Sequence, residues 1–228
     1  MADAHLPSDP ILSEQAAYYR AVAGTYEEYA IPDAWGGDVA AALDGFHAAG
    51  DVLELACGPG TWTAQLVRHA TRLTAVDASG EMLERAAARV GDGNVRFITA
   101  DIFKWRPERT YDVVFFGFWL SHVPEERFEA FWQLVADALR PDGRVFFVDD
   151  AYRTADELVF GEASELVRRR LRDGSEFNVV KFPHEPATLE RRLRALGWDI
   201  TVRAASPPFF WGEGARAARH PARVGSSP

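Results

Sequence analysis

Three carboxylates and a glycine turn in the first half of the chain have the types and spacing of a ligand site. Glu54-Leu55-Ala56-Cys57-Gly58-Pro59-Gly60 carries an acid inside a short apolar run, Val52 to Ala56, that stops at two glycines. Asp77 closes the next apolar run, from Leu73, and Asp101 follows a third, from Val95. Glycine at the end of a buried strand lets backbone come close to a ligand. A lone carboxylate in apolar surroundings is expensive, so Glu54 is expected near the open end of its strand and hydrogen-bonded. Each acid alone reads equally well as a strand-end or cap residue. Three at successive strand ends mark a site.

The spacing also narrows the ligand. A dinucleotide fingerprint wants G-x-G-x-x-G, with the last glycine where helix packs on strand; here that position is Thr63. The acids suit a ligand with an ammonium, a sulfonium, a ribose diol and an adenine but no pyrophosphate, which is S-adenosylmethionine. An acid near the loop, Glu54, takes the ammonium directly or through water. Asp77 accepts from the ribose hydroxyls, as the carboxylate about 20 residues beyond the glycines does in dinucleotide sites. Asp101 reaches the adenine amino group, and the Ile102 amide a ring nitrogen.

Methyl transfer from such a cofactor is an in-line displacement, for which a protein supplies alignment, water exclusion and, where needed, a base. Phe118 and Trp119 follow the fourth apolar run, Tyr111 to Phe116, where the methyl group should emerge. Their faces suit a sulfonium and a flat or apolar acceptor. His122, in Leu120-Ser121-His122, is the candidate base, since histidine titrates near ~6.5; it reads equally as a capping or core residue. Tyr152, Phe182, His184 and Trp211 are placed to close an acceptor pocket, whereas Phe115 and Phe146 read as core. Asp149-Asp150 raises a magnesium-assisted mechanism, but no third acid stands at a matching strand end, so no metal is expected.

Positioning these groups takes a parallel sheet. Runs at 52–56, 73–77, 95–99, 111–116 and 144–148 alternate with helical patterns at about 61–67, 81–90 and 125–139, with Thr61 and Ser79 as N-caps. Short connections between them predict a right-handed parallel sheet covered by helices on both sides. Ser13 to Tyr29 and Asp38 to His47 read as helices ahead of the sheet. Residues 153–173 look helical and charged. Phe177 to Phe182 and Trp198 to Arg203 look like strands, separated by a helix from Pro186 to Leu196.

Taken in order, Glu54–Thr61, Ala75–Ser79, Ala100–Ile102, Tyr111–Val114 and Leu139–Val145 resemble the class I S-adenosylmethionine-dependent methyltransferases of small-molecule type. The resemblance covers about Tyr18 to Tyr152. It implies a Rossmann-like three-layer αβα sandwich with a seven-stranded sheet in the order 3-2-1-4-5-7-6, strand 7 antiparallel. It also implies Ala56, Gly58, Gly60, Trp62, Ala78 and Met82 as cofactor contacts beside the acids and Phe118. In relatives a stretch like Tyr18-Tyr19-Arg20 folds over the cofactor, which makes Tyr19 and Arg20 further contacts, with Arg20 toward its carboxylate. The expected product is S-adenosyl-L-homocysteine. One domain over 1–228 is expected: a helical cap at 1–48, a cofactor-binding core at 50–150, a variable substrate-side insertion at 151–185, and a terminal helix and strand at 186–214.

Bulk properties agree with an α/β enzyme of one domain: 228 residues, 47% hydrophobic. A net charge of −9 argues against a nucleic-acid partner, and the run Arg168, Arg169, Arg170, Arg172 reads as a solvated helix face or a local basic patch. One cysteine, Cys57, leaves no internal disulfide. Without a signal-like start or a run of ~20 apolar residues, a soluble cytoplasmic monomer or homodimer is expected, with no membrane partner. The leading expectation is methylation, at oxygen, of a small-molecule acceptor; the alternatives are methylation of a peptide or protein side chain or carboxylate, and a non-catalytic cofactor-binding relative.

Overall fold

Apolar runs that bury both faces make the centre of the sheet. The computed structural model describes residues 9–26, 37–91 and 94–218. Its strands are β1 (Gly50–Leu55), β2 (Ala70–Asp77), β3 (Val95–Thr99), β4 (Tyr111–Gly117), β5 (Leu139–Asp150), β6 (Leu166–Arg170), β7 (Glu176–Val180), β8 (Trp198–Ala204) and β9 (Phe209–Arg216). The helices are α1 (Asp9–Val22), α2 (Gly37–Phe46), α3 (Thr63–Leu66), α4 (Gly80–Val90), α5 (Phe128–Ala138) and α6 (Pro186–Ala195). Seven strands form one sheet in the order β3-β2-β1-β4-β5-β9-β8. β1 to β5 are parallel, and β9 runs antiparallel to both of its neighbours. This is the Rossmann-like αβα arrangement expected.

The period of two along each strand sorts the core into layers. Val113 and Phe115 of β4 face one way with Val52, Leu73 and Phe146, against α2. Val114 and Phe116 face the other way with Leu53, Val145 and Phe147, against α5 and α6. Phe116 stacks on Phe147 at 5.3 Å and an interplanar angle of 2°. On the opposite face Phe146 lies between Phe115 (6.2 Å) and Trp211 (5.4 Å).

Several expectations are corrected. Residues 153–173 hold no helix beyond a 3-10 turn at Ala155–Glu157; Leu166–Arg170 is a strand that pairs antiparallel with Glu176–Val180 in a separate hairpin. Its turn closes through Leu171 N–H, which donates to Ser175 O (2.8 Å), with Gly174 at φ 88°. The strand expected at 177–182 therefore leaves the main sheet, and the seventh place goes to Phe209–Arg216. Thr61 caps nothing: α3 starts at Thr63 and lasts one turn. The first helix begins at Asp9, ahead of Ser13, and ends at Val22, and β9 runs to Arg216, past 214; Tyr29 lies outside the described residues. Ser79 does cap α4, accepting from Met82 N–H at 3.2 Å.

The hairpin and α1 belong together. Glu14 Oε1 accepts from Asn178 N–H (2.7 Å) and Gln15 Oε1 from Val180 N–H (3.1 Å), so side chains of α1 satisfy the open edge of β7. Gln15 Nε2 in turn donates to His122 O at 3.2 Å. Both segments lie outside the sheet and meet over the carboxyl ends of its strands.

Candidate active site

The turn after β1 is held open by backbone geometry. Ala56 (φ 53°), Gly58 (φ 53°) and Gly60 (φ 83°) are all left-handed, a region glycine enters at no steric cost. Asp77 clamps this turn to the next. Its Oδ2 accepts from Gly58 N–H and its Oδ1 from Ser79 N–H, both at 2.9 Å. Burial pushes the Asp77 carboxyl above its usual range, against the pull of those two amides. Gly60 seats the turn on α4: a Cβ there would lie 2.7 Å from Ala86 Cα. Gly60→Ala should therefore combine overpacking with a left-handed alanine and cost about 2–5 kcal/mol. Calorimetric melting should fall by roughly 5–15 °C; an unchanged melting temperature would mean that the turn is free to move.

A cavity of about 490 Å³ opens between this turn and α1. Ala56, Gly58, Asp77, Ala78, Met82, Asp101 and Ile102 line its floor, and Tyr19 and Arg20 its roof. Phe118, Trp119 and His122 lie at the end nearest β4. Asp101 Oδ1 accepts from Phe103 N–H at 3.0 Å, and its side chain keeps 45% of its area exposed. The indole Nε1 of Trp119 is buried without a hydrogen-bond partner among the described residues. Carboxylates at the ends of β2 and toward β3, an orphaned indole N–H and a turn stripped of side chains fit a ribose, an adenine and a methionine tail.

Two expected contacts stand behind the surface. Gly60 lines neither this cavity nor the second one described below. Glu54 is buried under the turn, where Thr63 Oγ1 donates to its Oε2 at 2.7 Å and Oε1 finds no partner among the described residues. Thr63, the residue that breaks the dinucleotide pattern, is thus the partner Glu54 requires. Burial, opposed by that hydroxyl and reinforced by Asp77, pushes the Glu54 carboxyl up to about 8. Burial likewise raises the Cys57 thiol and leaves it unreactive.

A second cavity, about 1210 Å³, lies on the far side of the same wall. Tyr19, Tyr26, Ala56, Gly58, Gly117, Phe118 and His122 line both. Trp62 and Tyr152 belong to the second cavity, and Arg168, Arg169 and Lys181 form part of its hairpin side. Phe182 and His184 pair with each other at 5.0 Å, and Trp211 stacks in the core; all three line neither cavity.

At the shared wall His122 is 4% exposed. Its Nδ1 meets Val180 O at 2.5 Å and its Nε2 meets Tyr19 Oη at 2.9 Å. A carbonyl only accepts, so Nδ1 carries the proton and Nε2 accepts from the tyrosine. Burial, with Lys181 and Arg169 nearby, holds the imidazole well below its usual pKa. Burial also holds the Tyr19 phenol well above its own. Only Nε2 could take a proton, and it is engaged by Tyr19 in surroundings that disfavour the imidazolium, which supports the core reading of His122 over the base. Behind it, Lys181 Nζ contacts Ser121 Oγ and Asp150 Oδ2 at 3.0 Å each, and Asp149 takes the Ser121 N–H and hydroxyl at 2.7 Å. Both aspartates are committed to this network.

Sequence reasoning missed Tyr18, Gln15, Arg169 and Lys181. The one available signal was Asp173-Gly174, a strong hairpin dipeptide, which would have turned the arginine run into a strand facing the site.

A family model described as a methyltransferase domain matches residues 52–143. Trans-aconitate 2-methyltransferase of Enterobacter sp. (strain 638) is 42% identical over 77 residues, 33% of this chain and 30% of that protein. The Escherichia coli (strain SE11) protein of the same name is 37% identical over 94 residues, 40% of this chain and 36% of that protein. The match thus spans about a third of the length of these curated relatives. Among solved structures, a DhpI-SAM-HEP complex superposes with a TM-score of 0.82 at 41% identity, over 91% of this chain and 99% of that one. A DhpI-SAH complex gives 0.80 at 41%, over 92% and 98%. A Burkholderia thailandensis 1,6-didemethyltoxoflavin-N1-methyltransferase shares the fold, at TM-score 0.66 and 17% identity over 96% of this chain and 93% of that one.

Proposed function

The chain belongs to the class I S-adenosylmethionine-dependent methyltransferases, and from that premise we propose that it methylates an oxygen of a small molecule held in the larger cavity. The observation that carries this reading is the shared wall. Two cavities meet at Tyr19, Phe118 and His122, so a donor in one and an acceptor in the other face each other there. S-adenosylmethionine, when bound, supplies an electrophilic methyl group on a cationic sulfonium.

The chain's own residues align the partners and exclude water. Asp77 and Asp101 would orient the cofactor, with Glu54 bracing the turn from beneath. Trp62 and Phe118, 6.0 Å apart, give the junction an aromatic wall. A small acceptor is favoured over a peptide because α1 already occupies the edge of β7, where an extended chain would pair. The relatives named for trans-aconitate, a small organic acid, point the same way.

His122 positions Tyr19 in this reading. His122→Ala should then cost less than about 10² in kcat, below the 10²–10⁴ of a general base, and kcat should show no inflection near the ordinary histidine value of ~6.5. Tyr19→Phe should match it, and the double variant should lose no more than either. A loss above about 10³ with such an inflection would return His122 to the role of base. Methyl-labelled S-adenosylmethionine, offered with a metabolite panel and with peptides, tests the reading as a whole. Label is expected in an O-methylated small molecule; label in the peptide fraction alone, or binding without turnover, would replace it.

A further inference from the structure

We propose that Arg169 anchors a negatively charged acceptor, so that the molecule methylated carries a carboxylate- or phosphate-type group. This inference rests on the methyltransferase reading above and adds the class of acceptor to it. Arg169 projects from β6 into the larger cavity. Its charge reaches Tyr19, Tyr26 and His122, the side chains of the shared wall.

The hydrogen-bond accounting singles this guanidinium out. It has five N–H donors and stays charged at any working pH. Its contacts are an ion pair at 3.3 Å with Glu157, a 3.5 Å bond to Tyr18 Oη and the face of the Tyr18 ring at 5.4 Å. The ion pair with Glu157 runs through its Nε, which is buried and falls short of hydrogen-bond geometry, so of the guanidinium's other donors only the Nη1 bond to Tyr18 Oη is used among the described residues. Glu157 is itself tied down, since its Oε2 accepts from Thr154 N–H at 3.1 Å in a capping box. The other cations of this wall are better satisfied: Arg170 is bonded to Glu176, Arg168 pairs with Glu176 and covers Phe160, and Lys181 bonds Ser121 and Asp150.

A largely buried cation with unspent donors is costly unless something completes it. Arg169 keeps 22% of its side-chain area exposed, and the cavity is where it is reachable. Two oxygens of one anion match its planar fork. The cavity's charges leave room for that anion: Arg89, Arg168, Arg169, Arg170 and Lys181 outnumber Asp150, Asp156, Glu157 and Glu176 by one. A cationic sulfonium next door then favours a negative acceptor over a neutral or positive one. An acceptor oxygen that is already anionic also needs no strong base, in keeping with the neutral His122.

The test uses the full chain saturated with S-adenosylhomocysteine, in a zwitterionic buffer at fixed ionic strength. Thermal stability is followed against a panel of carboxylates headed by trans-aconitate, against inorganic phosphate, and against the neutral trimethyl ester of trans-aconitate. At least one anion, but not the ester, should raise the melting temperature of the wild-type complex. A carboxylate response and a phosphate response distinguish the two sources. Arg169→Gln should weaken that anion's binding about 10²-fold, while Arg169→Lys retains part of it and both keep their response to S-adenosylhomocysteine. No response to any anion, or an equal response in Arg169→Gln, overturns the anchor. Absence of stabilisation by S-adenosylhomocysteine in the wild type would instead overturn the cofactor reading. Should Arg169→Gln fail to fold, the Lys variant decides: an affinity equal to wild type counts against bidentate anchoring and overturns the proposal.

Discussion

Replacing Asp77 with alanine should weaken S-adenosylmethionine binding by at least about 10²-fold. Two backbone donors, Gly58 N–H and Ser79 N–H, end on this one carboxylate at 2.9 Å each. Hydrogen bonds to a charged group contribute roughly 1.5–3 kcal/mol, and a buried donor left without its acceptor costs about 1–3 kcal/mol. The variant loses both tethers as well as the acceptor for a ribose diol, and the turn after β1 is no longer fixed to the turn after β2. Asparagine is not a conservative rescue. Its amide NH2 must point at one of the two backbone N–H groups, donor against donor. Calorimetric titration with S-adenosylmethionine and S-adenosylhomocysteine should show both variants impaired for both ligands. Affinity within about threefold of wild type would remove Asp77 from the cofactor site.

The second large effect is on stability against pH, through Glu54. Its carboxyl sits at about 8 in the folded chain, against an unfolded value near ~4.3. A raised acid is protonated in the fold at a pH where the unfolded chain has already released the proton. The folded state therefore binds more protons between the two values, and stability falls as pH rises through that window. The penalty is absent below about pH 4, grows to about pH 8 and is constant above it, with an upper bound of about 5 kcal/mol. Glu54→Gln keeps an oxygen for the Thr63 hydroxyl and has nothing to ionise. It should be the more stable protein at pH 8, by several kcal/mol, and indistinguishable at pH 4 apart from packing. Denaturant unfolding at the two pH values reads this directly. Parallel pH dependence in wild type and variant would show that another group carries the slope.

The fold was legible where local pattern and tertiary demand agree. The runs at β1, β2, β4 and β5 are apolar because they are buried on both faces, and the glycine turn and acids mark the ligand end, whereas the strand order came with the family resemblance. The hairpin was misread because Arg168 to Arg172 hides an alternation in which Val167 is buried and the arginines face outward or into the cavity. Trp211 was misplaced for a related reason. Phe209–Arg216 carries Gly212 and Gly214, which weaken a strand signal but are required here: a Cβ on Gly212 would collide with the Phe147 ring, and one on Gly214 with Asp199 O. The pairing of Arg169 with Tyr18, 151 positions apart, has no trace in either segment. His122 was found, but its neutral state depends on what surrounds it.

The bonds from Glu14 and Gln15 to β7 also set a timetable. They join residues 164 and 165 positions apart, whereas β1 to β5 pair through shorter crossovers. Closing so long a loop is slow relative to local pairing. On a ribosome, α1 must wait, its inner face unmatched, until the chain has been made past Val180. Strands β1 to β5 can pair in the meantime, so the floor of the chamber where donor and acceptor meet can form before its roof. Because that roof is fastened to the hairpin by side chains rather than woven into the sheet, loosening it would break the bonds of Glu14, Gln15 and Tyr19 but none within the main sheet.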